Sequence, residues 1–144
     1  MNIQVKVTDH VVRPLEKVFN SIIDPVQITK YFVSNASDQL SEGNKVTWVF
    51  KDYNVELNVE VLKVIENEQI TFNWEASGIK TRVSISLFSE EKNKTKLVIT
   101  EDSFETNKEG IAKALQQTQG WTDFICSLKA YLYTGINLRN GKMN

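Results

Sequence analysis

The chain has 144 residues, with 17 lysines and arginines against 18 aspartates and glutamates and a formal charge of −1. That length fits one domain with a single core, and the interspersed charges leave no basic stripe for phosphates, so nucleic acid is excluded as a partner. The opening MNIQVKVTDH lacks a charged start followed by an apolar run, and no apolar stretch approaches the roughly 18 residues of a membrane span; a soluble, cytoplasmic protein is expected. Cys126 is the only cysteine, which leaves no internal disulfide and too few soft ligands for a structural zinc.

Ile3, Val5 and Val7 alternate with polar residues and predict a strand with one buried face. Pro14 suits a helix start, with Leu15, Val18, Phe19 and Ile22 following at helical spacing. Asp24-Pro25 ends this short helix and opens another: Asp24 can cap free amides, Pro25 has no amide to leave unpaired, and Gln27 completes a box-like pattern. The second helix is expected to carry Val26, Ile28, Tyr31 and Phe32 and to run out in the polar segment SNASDQ. From Leu40 to Phe104 strand follows strand, separated by turns at 42–44, 51–54, 66–68, 77–78 and 90–94 that are short enough to imply antiparallel neighbours. Trp48 and Phe50, Phe72 and Trp74, Val83 and Ile85, Leu97 and Ile99 build one apolar face, while Glu56, Asn58, Glu60, Asn73, Ser84 and Ser86 take the other. A final helix is predicted from a Thr106/Glu109 capping box, with a buried stripe of Ile111, Leu115, Thr118, Trp121, Ile125, Leu128 and Leu132, and a stop at Gly135. The tail after Asn137 is expected to fray, leaving an ordered core of about 2–136 within one domain, 1–144.

This order of elements resembles the α+β helix-grip fold, also described as START-like or birch-pollen-allergen-like. The residues RPLEKVF (13–19), Asp24-Pro25, KYF (30–32), Gly43 with Trp48, NEQITFNW (67–74), TKLVITE (95–101) with Phe104, Gly120-Trp121 and LKAYL (128–132) are similar to single-domain proteins of the SRPBCC superfamily that resemble the C-terminal domain of the activator of the 90-kDa heat-shock chaperone ATPase. The resemblance implies a strongly curved antiparallel sheet wrapped around the long C-terminal helix, with a cavity between them that in many relatives receives lipids, sterols or polyketide-like compounds. It does not carry chaperone stimulation, since the eukaryotic activator engages the chaperone through a separate N-terminal domain for which 144 residues leave no room.

Catalysis would need a nucleophile with a base, a metal cluster, or an acid and base in unlike environments. His10, the sole histidine, stands beside Asp9 on the first strand, where a solvated edge position is expected; Cys126, in an apolar helix, is expected to be a buried, inert thiol. Arg82 and Tyr53 fit either ligand anchors or sheet-face and turn residues. No catalytic residue, metal site or cofactor is predicted. The predicted function is reversible binding of a small apolar or aromatic molecule, with a co-chaperone-like stress-response module or a cyclase- or dehydratase-like enzyme as alternatives. Strand parity and helix spacing give the predicted lining: Trp48, Leu57, Val59, Phe72, Trp74, Val83, Ile85, Leu97, Ile99, Trp121, Ile125 and Leu128, with Glu101 as the polar group that orients a ligand hydroxyl. Gly120, within the long helix, is read as removing a side chain where the helix passes close to another element.

Overall fold

Each run of alternating apolar residues becomes a strand in the structure, a computed structural model that describes residues 2–140. β1 (Asn2–Val11) leads into α1 (Leu15–Ile23) and α2 (Pro25–Ile28). There follow β2 (Asn35–Ala36), β3 (Lys45–Phe50), β4 (Val55–Ile65), β5 (Gln69–Trp74), β6 (Thr81–Glu91), β7 (Lys94–Glu105) and α3 (Lys108–Thr134). The strands form one antiparallel sheet in the order β1-β7-β6-β5-β4-β3-β2. Irregularities in register at Ile3/Val5, Val61/Lys63 and Ser89/Glu91 interrupt the ladders, and such bulges bend and twist a sheet. The curved sheet closes on α3, which at a rise of about 1.5 Å per residue is a rod of roughly 40 Å. This is the α+β helix-grip arrangement.

Local chemistry explains the corners. Asp24 caps α2 by accepting from the Val26 amide at 2.9 Å and from Gln27 Nε2 at 3.2 Å. The helix is shorter than its apolar pattern predicts: it stops at Ile28, and Tyr31 and Phe32 follow in turns that still bury both rings. SNASDQ is not simply a run-out, because Asn35 and Ala36 pair with Val49 and Trp48 as β2. Its polarity hides a strand, and the flanking Ser34 and Ser37 hydroxyls add to it by accepting from the Lys51 and Thr47 amides.

Two expectations for α3 are corrected. Its cap is Asn107, whose side chain accepts from the Gly110 amide at 2.8 Å, and not Thr106. In its first half the buried face is Gly110 and Ala114, while Ile111 and Leu115 stand 44% and 67% exposed. Close packing sets this phase: a Cβ on Gly110 would lie 1.9 Å from the Glu105 carbonyl oxygen, so the helix approaches the end of β7 through a residue without a side chain. Farther along, Trp121, Phe124, Ile125 and Leu128 belong to one buried cluster with Phe72, Val83, Ile85, Leu97 and Ile99 of the sheet and Val18, Phe19 and Ile22 of α1. Gly135 ends the helix with φ 76°, as predicted. Residues 138–140 form a turn in which Arg139 pairs with Asp52 and Asp123; the rest of the tail expected to fray lies outside the described residues.

Candidate functional site

Parity along β7 points Leu97, Ile99 and Glu101 to the helix side of the sheet, and the first two are core. Glu101 is just as completely buried. An isolated carboxylate there would be costly. Its oxygens instead accept from four side chains: Trp121 Nε1 (2.8 Å) and Gln117 Nε2 (3.0 Å) at Oε1, and Trp74 Nε1 (3.1 Å) and Thr81 Oγ1 (2.6 Å) at Oε2, with Gln117 also 3.3 Å from Oε2. A carboxylate offers about four lone-pair sites, so this set fills it. The donors are all neutral, and bonds to an ionised acceptor are the strong kind.

The consequence is geometric. Trp74, at the end of β5, and Trp121, from the middle of α3, stack with centroids 5.3 Å apart and planes at 29°, both with their N–H groups turned to Glu101. Phe32 packs edge-on to Trp48, Phe50 and Phe124 at 4.7–5.6 Å and extends the aromatic wall. Beyond this wall lies a cavity of about 800 Å³, bounded by Phe50, Tyr53, Val55 and Leu57 around the β3–β4 hairpin, by Ala76 after β5, and by one face of α3 that includes Gln116, Gly120, Asp123 and Cys126, with Arg139 at one side.

The predicted lining residues separate into two groups. Leu57, Trp74 and Trp121 border the cavity. Trp48, Val59, Phe72, Val83, Ile85, Leu97, Ile99, Ile125 and Leu128 are buried side chains of the packed core and do not border the cavity. Glu101 lies beneath the indoles, occupied by its own donors, and does not border the cavity. Parity signalled its inward direction; nothing in the sequence announced that its partners would come from β5, β6 and α3. Phe32, Phe50, Tyr53, Gln117, Asp123 and Arg139 border the cavity and were not among the predicted lining. Their signal was weak, since Tyr53 belongs to a turn and Arg139 to a segment without periodicity.

Two further corrections concern α3. A Cβ built on Gly120 would meet nothing within 4 Å, so no element passes close to it; its bare backbone forms part of the cavity wall. The close-approach glycine of this helix is Gly110. Cys126 is exposed, also on the cavity wall, and is not a buried thiol.

Asp9, His10 and Glu101 do not converge. Asp9 Oδ2 accepts from Lys129 Nζ at 2.8 Å, and His10 Nε2 faces Glu90 Oε1 at 2.9 Å on the edge strand. Burial pushes the Asp9 carboxyl up, but Lys129 and the His10 amide together outweigh it and hold the group below its ordinary value of 3.8. Arg82 is exposed on the outer face of the sheet. Among the described residues no three histidine, cysteine, aspartate or glutamate side chains come together as a metal site, and no helix is long and apolar enough to cross a membrane.

A curved antiparallel sheet gripping one long helix, with an aromatic-walled cavity at one end, defines a helix-grip domain of the SRPBCC class. Within that class the chain belongs to the family described as Activator of Hsp90 ATPase homolog 1-like protein, whose model matches residues 13–133. The protein SSP2350 from Staphylococcus saprophyticus has a similar structure, with TM-score 0.83 and 27% identity over 95% of this chain and 96% of that one. The Aha1 dimer from Colwellia psychrerythraea matches with TM-score 0.79 and 19% identity over 92% of this chain and 98% of that one. DynU16, from the dynemicin biosynthetic locus, matches with TM-score 0.81 and 24% identity over 92% of this chain but only 48% of its own. The last two likenesses, at such identity, speak to fold alone. Among curated proteins none matches.

Proposed function

We propose that the chain reversibly binds a small apolar or aromatic molecule in the cavity beside the Trp74–Trp121 stack. The observation that carries this reading is a cavity of about 800 Å³, walled by aromatic rings whose polar N–H groups are already bonded to Glu101 and so turned away from a guest. That volume falls in the roughly 300–1,000 Å³ range of small-molecule sites. A two-ring aromatic burying roughly 200 Å² would gain on the order of 5 kcal/mol, a dissociation constant on the order of 0.1–1 mM, with larger guests binding more tightly. Polar groups at the rim, Gln116, Gln117 and Tyr53, supply orientation.

The test is a titration with 2-naphthylmethanol followed by the indole N–H resonances of Trp74, Trp121 and Trp48. Saturable shifts at Trp74 and Trp121 are expected, together with protection of Cys126 from iodoacetamide. Shifts scattered over the surface without saturation would reject the site. A second reading, an interaction module related to chaperone activation, is supported by the family's name and by exposed Ile111 and Leu115, which with Ile3 and Val5 border a shallow apolar groove on the opposite part of α3. Pull-down of the purified 90-kDa chaperone by wild type but not by Leu115→Glu would favour it.

A further inference from the structure

One end of the cavity contains a guanidinium that belongs to the chain itself. Arg139 lies over two aromatic rings, its Cζ 5.4 Å from the Tyr53 centroid and 5.9 Å from that of Phe50. It pairs closely with Asp52 and approaches Asp123 Oδ2 at 3.7 Å. The Asp52 side chain is only 8% exposed and that of Arg139 only 12%, so the pair is largely removed from water. Two carboxylates and two ring faces around one planar cation are the components of a cation-recognition site: the rings attract positive charge through their quadrupoles, and the carboxylates neutralise it. The residue supplying the cation comes from an irregular segment beyond the helix stop at Gly135, whereas its receptor groups stand on β3, the β3–β4 turn and α3. Four of the five groups, Phe50, Tyr53, Asp123 and Arg139 itself, also border the cavity.

We propose that this cluster is a ligand subsite for an organic cation, an amine or amidine carried on an apolar aromatic body, and that Arg139 fills it as an internal stand-in that such a ligand displaces. The inference rests on the binding function proposed above and specifies the charge of its ligand. An aromatic body against Trp74 and Trp121 would place a cationic substituent beside Phe50 and Tyr53, where Asp52 and Asp123 receive it. Arg139 has a further consequence for an anionic ligand: a carboxylate entering this end would have to compete with two aspartates for a guanidinium they already engage, while facing both of them. Selectivity therefore comes from the acids, and Arg139 sets the threshold a ligand must exceed. While Arg139 is seated, the buried Asp52 has its counter-charge in contact.

The test uses three naphthalene compounds that differ in one group, 2-naphthylmethylamine, 2-naphthylmethanol and 2-naphthoate, titrated against the full chain with the Trp74 and Trp121 indole N–H resonances as the readout. Arg139→Gln is expected to bind the amine at least tenfold more tightly than wild type, to leave the alcohol within threefold, and to gain nothing for the carboxylate. Asp52→Asn added to Arg139→Gln is expected to remove the amine's gain, with the amide fingerprint verifying that each variant is folded. Equal gains for amine and alcohol would mean that Arg139 only occupies space, and tighter binding of the carboxylate than of the amine by wild type, lost in Arg139→Gln, would mean that Arg139 is the recognition group; either result overturns the proposal. If the alcohol shifts the indoles but the amine is not preferred in Arg139→Gln, the subsite fails and the cavity stands. Absence of a response to all three compounds overturns both.

Discussion

Gly120 offers the sharpest test of how the cavity is built. In the interior of a helix, glycine costs roughly 1 kcal/mol relative to alanine, and at this position a methyl group would touch nothing within 4 Å. Gly120→Ala should therefore stabilise the protein by about 1 kcal/mol, raising Tm by roughly 3–4 °C for a domain of this size. Urea denaturation should show the gain as a higher midpoint with unchanged slope. Gly120→Phe extends the same reasoning: the ring has the cavity to enter, so the fold should persist with stability within about 1 kcal/mol of wild type while 2-naphthylmethanol binding weakens at least tenfold. A loss of more than about 1 kcal/mol in Gly120→Ala would refute the geometry, because it would mean that another element presses on the helix there. Unimpaired binding by a folded Gly120→Phe would show that the guest binds elsewhere.

Gly110→Ala should behave in the opposite way, since its methyl meets the Glu105 backbone at 1.9 Å; a loss of more than about 2 kcal/mol is expected in urea melts, the cost of forcing the helix off the sheet. Glu101→Gln keeps the shape but turns an acceptor of four donors into an amide that must present its own N–H₂ to them; about 2–4 kcal/mol should be lost, and the Trp74 and Trp121 indole N–H resonances should move while that of Trp48 stays. Burial holds the Tyr31 phenol well above its ordinary value of 10.0, with the Ser21 carbonyl accepting its proton at 3.0 Å. Because the unfolded chain releases that proton first, the stability is fully present below pH 10 and is lost as pH rises above it, by up to about 1.4 kcal/mol per pH unit; Tyr31→Phe should remove this alkaline slope from urea midpoints measured between pH 9 and 11.

The sheet was legible because its information is local: Val46, Trp48 and Phe50 alternate, and the turns at Gly43 and Gly78 carry positive φ where a glycine is needed. The phase of α3 was legible only in its second half. Ile111 and Leu115 are more apolar than Gly110 and Ala114, so any pattern of hydrophobicity chooses the wrong face, whereas the deciding contact is between backbones and leaves no trace in side-chain character. The aromatic residues of the site were visible as a set, and Trp74 and Trp121 were read at its border. What failed to appear was the division between filled and unfilled space: Ile99 and Leu57 face the same helix, yet one is wholly buried and the other borders the cavity, a difference fixed by where a curved sheet departs from a straight rod. Arg139 escaped for a different reason. An isolated cation in an irregular tail has no periodicity to read, and its meaning lies in Asp52, 87 positions earlier.

All three tryptophans of the chain belong to one aromatic cluster. Intrinsic emission is consequently a local gauge, blind to events around Gly110 and Ala114 at the far end of the rod. The close pair of indoles should also couple electronically and give a bisignate band in near-ultraviolet circular dichroism that vanishes when the two rings part. Optical signals and backbone hydrogen exchange would then register the middle and the first turns of the same helix, and any delay between them would time how the grip loosens.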